Sequence, residues 1–516
     1  MSDLIYPNLF LFLYDLRESV RDDLEKLTQN QNNFAAKFPS ELRPSLFERD
    51  NIAESEYLEL LPQQIATFPE SDKPIEGYYY PVRLNDTYGL LIACSPPEDN
   101  TSYPVEYITK LKAKIDQKIN GQTATLGQTW LVFAQLANPK NNPEDIAKKC
   151  CQALELGLNW EQNLQGQGRM HGGTLFELWR YQLLMDKPEQ KHAPAPTLSE
   201  VQKSQHLLIS FYPDTITASQ AADFNSDWLR LFHYRHKILW AYGQSRYLKQ
   251  KLKQNLTKIK AYGEGIKNED LKQLRRIVTE AHNTFSYHTI ELSNLGDQIR
   301  TIEINLLNYN RRLTIIQKRL LKFQAQPPQE FLKNLLPEEA FSWLLLTANN
   351  LNVNHTQQSA FLSILLGSWK NFYDLSFLEK FSNDVTNKYQ LQLQKDYENL
   401  SPSLELLEEL IESIQAITQI DEARRDRTLQ NTVAILGVGV GAGTVVASIS
   451  GQLPEATKPT KASQYPVGSL LHKLKVPEPM LVPVSSFVVT LSVSIVAAGL
   501  TALIIQLSWL LKKPGR

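Results

Sequence analysis

Residues 274–323 read LRRIVTEAHNTFSYHTIELSNLGDQIRTIEINLLNYNRRLTIIQKRLLKF. Apolar side chains recur there at alternating steps of four and three: Leu274, Val278, Ala281 and Phe285, then Leu292, Leu295, Ile299, Ile302 and Leu306, then Tyr309, Leu313, Ile316, Leu320 and Phe323. A repeat of about 3.5 residues keeps one seam of a helix facing a helical partner and imposes a left-handed supercoil. At a rise of about 1.5 Å per residue the helix is on the order of 75 Å long, and Pro327-Pro328 stops it. Coiled-coil packing is therefore expected along this seam. An upstream helix from about Ala218 to Tyr262, the segment Phe377–Tyr397 or a second copy of the chain could supply the partner. Internal antiparallel packing is the expected arrangement, because long helices close in sequence form hairpins. His288 is the one polar residue in the seam. It reads as a neutral, hydrogen-bonded register residue, with a pH switch as the sharper alternative.

C-terminal to the seam, an apolar stripe of Leu404, Leu407, Leu410, Ile411, Ile414 and Ile417 predicts another helix, beginning after Pro402 and continuing through Arg427. Beyond it no charge occurs from Thr428 to Pro454 or from Pro479 to Leu511. About 20 apolar helical residues cross a bilayer core, so two transmembrane helices are expected, at about 431–451 and 484–511. Trp509 followed by Lys512 and Lys513 suits an interface. Gly437, Gly439, Gly441 and Gly443 form interleaved GxxxG pairs that would permit close helix packing, within one chain or in a homo-oligomer. The run from Gly437 to Ala442 also fits a GxGxxA dinucleotide turn. The nearest acid, Glu455, comes too early for that fold, and a polar loop follows instead of a helix.

Arg424, Arg425, Arg427, Lys512, Lys513 and Arg516 flank the pair of spans, against Lys458, Lys461, Lys473 and Lys475 in the 452–479 loop. This bias, with an N-terminus that lacks a basic region and a long apolar run, puts both ends in the cytoplasm, most simply at a bacterial inner membrane.

Residues 1–215 alternate strand-like and helix-like pieces. Strands are predicted at Leu9–Tyr14, Gly77–Arg83, Tyr88–Cys94, Gln128–Leu136, Thr174–Tyr181 and His206–Tyr212, with a hairpin turn at Asn85-Asp86. Val105, Ile108, Leu111, Ile115 and Ile119 line one helix face, and Pro143 starts another helix with Ile146, Cys150, Ala153 and Leu154 inward. The fold class is an α+β N-terminal domain with a mixed sheet (1–215), then a helical coiled-coil stalk (216–427), then a membrane domain (428–516).

Lys and Arg number 54 against 55 Asp and Glu, a balance that gives no sign of nucleic-acid binding. Three cysteines in 516 residues argue for a reducing compartment without a disulfide framework. Cys150-Cys151 reads as buried structural thiols before a vicinal redox pair. His233 and His236 could share a metal, but no third ligand stands near them in sequence. Gly166-Gln-Gly168-Arg-Met-His-Gly172-Gly173 lacks the Lys-Ser/Thr of a phosphate loop and reads as a flexible loop before a strand. Trp228, Phe232, Tyr234, Trp240, Tyr242 and Tyr247 beside Arg230, Arg235 and Arg246 could stack bases, yet fit better as a helix docking the sheet domain to the stalk. No catalytic constellation, cofactor motif or metal set emerges. The expectation is a non-enzymatic protein with the lipid bilayer and an unknown cytoplasmic ligand or protein as partners.

In its order of parts the chain resembles the CorA-type divalent-cation channels, which also place an α/β domain first and run a long stalk helix into the first of two C-terminal spans. The resemblance implies an oligomeric channel as an alternative function. Those channels carry Gly-Met-Asn at the outer end of the first span, where this chain reads Ser448-Ile449-Ser450-Gly451-Gln452. A passive membrane-anchored scaffold is the third reading, beside a sensor or effector that signals from the N-terminal domain through the stalk.

Overall fold

The computed structural model describes residues 3–18, 24–50, 55–98, 100–138, 140–182, 203–265, 271–325 and 373–421. The expected spans at 431–451 and 484–511, with Gly437, Gly439, Gly441 and Gly443, lie outside them. Among the described residues no helix is long and apolar enough to cross a membrane.

One ten-stranded mixed sheet dominates the first part of the chain, and the six expected strands all belong to it. Its main path runs β2 (Leu58–Glu59), β4 (Glu76–Leu84), β5 (Thr87–Ser95), β1 (Leu4–Leu16), β7 (Gly127–Leu136), β10 (Lys203–Tyr212), β9 (Gly173–Gln182), β8 (Leu164–Met170). Short strands β3 (Ala66–Thr67) and β6 (Ser102–Tyr103) pair with β4 and β1. The β7–β10 pair is parallel and the other neighbours are antiparallel. The β4–β5 hairpin closes through Asn85-Asp86, where Asn85 takes a left-handed φ of 52°, a conformation that asparagine tolerates.

β1 shows why this sheet has two buried faces. Leu9, Leu11 and Leu13 join one core cluster, and Phe10, Phe12 and Tyr14 join the other. Side chains alternate across a strand, so a run that is apolar on both faces must be covered on both. Burying these six contributes on the order of 10 kcal/mol before entropy is counted. Pro7 falls where the β1–β7 register shifts, between Ile5 and Asn8, which is where a strand tolerates a residue without an N–H.

The Leu9 face is covered by α1 (Leu24–Ala35), α2 (Arg43–Asp50), α3 (Tyr107–Lys118), α4 (Pro143–Ala153) and the single turn α5 (Trp160–Asn163), through Phe34, Leu46, Ile108, Leu111, Ile146 and Trp160. Asn142 caps α4 by accepting the Glu144 N–H, with Pro143 at the first helical position. After the cap of α6 (Thr215–Ala222) by Asp214, the Phe10 face is covered by α7 (Asn225–Gly265), α8 (Leu271–Ala325) and α9 (Ser376–Asp384). A π-helical turn, Val385–Gln390, leads into α10 (Leu391–Leu400), and α11 (Pro402–Asp421) follows.

The chain forms two compact units that cut across both long helices. Unit 1 comprises Met1–Tyr247 and Asp297–Gln394, and unit 2 comprises Leu248–Gly296 with the chain from Lys395. In unit 2, α7 and α8 run antiparallel: Asn255 donates to Glu291 (2.9 Å), and Tyr262 bonds Thr284 (3.1 Å). In unit 1, Arg312 of α8 pairs with Asp227 near the start of α7 at 3.1 Å, and Arg319 also reaches that carboxylate.

Candidate functional site

Within unit 1 a polar cleft of about 300 Å³ opens between the β4–β5 turn and the two long helices. α7 supplies Arg230 and Tyr234, one turn apart, and α8 supplies Asn308, Arg311, Arg312 and Ile315. Leu84 and Asn85 come from the hairpin, and Glu56 and Tyr57 from the segment before β2. The helical period sets this grouping. Tyr309, Leu313 and Ile316 turn into the core, which brings Asn308, Arg311, Arg312 and Ile315 round to an adjoining face.

Two of the arginines, Arg230 and Arg312, are held in place. The Arg230 guanidinium lies over the Tyr57 ring, 4.1 Å from its centre. The Tyr57 hydroxyl is bonded to that of Tyr80, which donates to Glu59 at 2.9 Å. Burial raises the Tyr57 pKa, so the phenol stays neutral and able to donate. Arg312 is oriented by Asp227. The Nε atoms of Arg230 and Arg312 are buried without a hydrogen-bond partner among the described residues. Among the described residues, three guanidinium groups thus share the cleft lining with one carboxylate, that of the exposed Glu56.

A second constellation lies in the core of the same unit. Thr129 Oγ1 bonds His236 Nε2 at 2.7 Å and His206 Nδ1 at 2.8 Å. His206 Nε2 lies 3.0 Å from Glu177 Oε1, and Arg235 Nε is 3.9 Å from the same oxygen. Glu177, His206, His236 and Arg235 are each at most 1% exposed. Burial drives the Glu177 pKa up to about 7, against the pull of Arg235, and pushes His206 and His236 well below 6.5. With both histidines neutral, a protonated Glu177 donates to His206, which donates to Thr129, which donates to His236. An ionised Glu177 reverses every bond in the chain. The Arg235 guanidinium lies over both the Trp179 and Phe381 rings, 5.1 and 4.7 Å from their centres, so its attraction to them adds to its coupling with Glu177.

His233, one turn before His236, is buried beside Tyr14, and burial lowers its pKa to about 3. Among the described residues no group of three side chains could hold a metal. Cys150 and Cys151 are both buried against the Leu9 face, and burial raises both thiol pKa values, that of Cys151 to about 11. Such thiols are poor nucleophiles. His288 is fully buried in unit 2, with Nε2 at 2.6 Å from Ser403 Oγ.

The glycine cluster is not a loop. Residues 164–170 form β8, and the turn at His171-Gly172 leads into β9. The strand reads as a loop because glycine is disfavoured in strands. Here it serves close approach: a Cβ on Gly166 would lie 2.5 Å from Phe377 Cβ, and one on Gly168 would strike the Phe377 ring and the Asp374 carbonyl. α9 therefore sits directly on β8.

The seam residues divide between the units. Leu292 and Leu295 cluster with Leu248, Leu252 and Leu400 in unit 2. In unit 1, Ile302, Leu306, Leu313, Ile316 and Leu320 join the Phe10-face core, with Ile299 packed against it. The aromatic stretch of α7 is core here too: Trp228 and Phe232 are buried, and Tyr234, Trp240 and Tyr242 pack beside them.

Two features escaped the sequence reading. Arg311-Arg312 stands inside the heptad region, and its cleft also needs Tyr57 and Asn85, which are remote in sequence. Glu177 and His206 are polar residues at inward positions of apolar strands, and that signal was available. Comparisons with family models, curated proteins and solved structures find no match for this chain.

Proposed function

We propose that the chain is a non-enzymatic, membrane-anchored sensor or effector. Unit 1 takes a small ligand in the arginine cleft, and the two long helices respond to its binding. The observation that carries this reading is the shared wall of the cleft: α7, α8 and the β4–β5 turn each contribute polar side chains. A ligand seated there touches all three elements, so its binding energy biases whichever arrangement of them it fits better. The apolar stretches 431–451 and 484–511 supply the proposed anchor, and Gly437, Gly439, Gly441 and Gly443 the face on which spans pack or copies of the chain associate.

Two measurements on the full-length protein test the reading. Alkaline carbonate extraction of membranes should leave the protein with the lipid. In vesicles, a panel of small metabolites should include at least one that raises the melting temperature of the wild type and not of Arg311→Gln/Arg312→Gln. Release by carbonate removes the anchor. A panel without any such compound removes the sensor. Ion flux in vesicles without added ligand would favour the channel alternative instead.

A further inference from the structure

From the chemistry of the cleft we infer that its ligand carries a phosphoryl group, which Arg230, Arg311 and Arg312 bind while Tyr234, Asn85 and Asn308 contact the organic part. The inference deepens the ligand-binding role proposed above and rests on it. Arginine presents N–H donors in a planar fork that matches the oxygens of phosphate, and charge-assisted bonds of this kind are among the strongest in proteins. Here the three forks come from two helices, so they surround a volume instead of pairing along one face.

Two of the three donors are preorganised, and part of their capacity is unmet among the described residues. Asp227 orients Arg312 through Nη1 (3.1 Å), the Tyr57 ring supports Arg230, and the Nε of each is buried without a partner. A buried N–H left unsatisfied is costly, which leaves these guanidinium groups short of acceptors. Charge selects the same ligand: Asp227 is already committed to Arg312 and Arg319, so among the described residues Glu56 at the rim is the one carboxylate in the lining.

Size narrows the choice further. A cleft of about 300 Å³ is at the small end of ligand sites, which suits a phosphate monoester of a small polar molecule. The Asn85 and Asn308 amides can each donate and accept, as the hydroxyls or ring edge of a sugar or nucleoside require. The phosphoryl group could come from a soluble ester or from a phosphorylated lipid headgroup.

The experiment is calorimetric titration of the full-length protein in mild detergent with inorganic phosphate, adenosine monophosphate, citrate and uncharged adenosine. A parallel flotation assay uses phosphatidylcholine vesicles with and without phosphatidic acid. The variants are Arg230→Gln and the exposed Arg311→Gln, with Arg276→Gln, in unit 2 and outside the cleft lining, as control. Expected is binding of phosphate and of the monophosphate at one competing site, weakened about tenfold to hundredfold by either cleft variant and unchanged in the control. Preference for phosphatidic acid vesicles, lost in Arg311→Gln, supports the same chemistry from a lipid source. Arginine-dependent binding of citrate or adenosine without phosphate overturns the phosphoryl assignment and leaves a ligand site in place. Absence of any binding overturns both.

Discussion

Replacing Gly168 by alanine tests whether α9 is docked on β8 by backbone proximity. Arg169 and Asp374 exchange two backbone hydrogen bonds of 2.8 Å, and Phe377 lies over the glycines. A methyl at position 168 would meet the Asp374 carbonyl and the Phe377 ring far inside the ordinary carbon contact of about 3.5–4.0 Å. Gly168 carries no left-handed φ, so the backbone accepts alanine, and the loss of unfolded-state freedom alone would stabilise by about 0.4–1 kcal/mol. Against this stand overpacking, at about 1–3 kcal/mol, and two weakened hydrogen bonds, at about 0.5–1.5 kcal/mol each. The clash wins, and the net destabilisation should be about 1–5 kcal/mol. Urea unfolding of the purified full-length protein, followed by tryptophan fluorescence, reads it, because Trp179 packs edge-on against Phe381 of α9. Phe377→Ala removes the ring but not the carbonyl. The double variant should therefore cost less than the sum of the single ones by at least about 1 kcal/mol. A neutral or stabilised Gly168→Ala would refute the argument.

Lys37 and Asp15 form an ion pair of 2.9 Å, each at most 2% exposed. Lys37→Met leaves the carboxylate buried without its cation and should cost about 3–5 kcal/mol, with much of the loss recovered by adding Asp15→Asn; a loss below about 1 kcal/mol would contradict this. Stability should fall on acidification below the ordinary histidine pKa of 6.5. His171, His206, His233 and His236 stay neutral in the fold to lower pH, to about 4 for His171 and about 3 for His233. The unfolded chain therefore binds more protons in that window, and each such group steepens the fall by about 1.4 kcal/mol per pH unit. Glu177 acts oppositely: its folded pKa is raised from 4.5 to about 7, so its contribution is full below 4.5 and is lost as pH rises to about 7. Urea midpoints at several pH values measure the net slope, and His171→Leu should flatten it by about one proton; an unchanged slope would contradict the His171 assignment. In unit 2, Ser403→Ala removes the hydroxyl bonded to His288 and should speed amide hydrogen exchange in α11; unchanged protection would show the bond to be dispensable.

Periodicity made much of the architecture legible. β1 reads as a strand from its short continuous apolar run, the Asn85-Asp86 hairpin from its turn residues, α4 from Pro143, and the α8 seam from its steps of three and four. These are local signals, set by the pitch of a helix, the pleat of a strand and the φ preferences of single residues. The glycine cluster misled because the same residue type serves a loop and a crowded strand, and only the position of Phe377 separates them. The likeness to channel architecture rests on order of parts, and its membrane half lies outside the described residues.

The sequence by itself determined six of the ten strands, the helices α3 and α4, and that α8 needs a partner along one stripe. Tertiary structure alone decided that this stripe divides between two units, that Glu177 meets His206 and Arg235 in the core, and that Arg230, Arg311 and Arg312 converge with Tyr57 and Asn85 on one cleft. The reason is physical: pattern records what each segment must bury, whereas a site arises where segments distant in the chain bring their remaining polar side chains together.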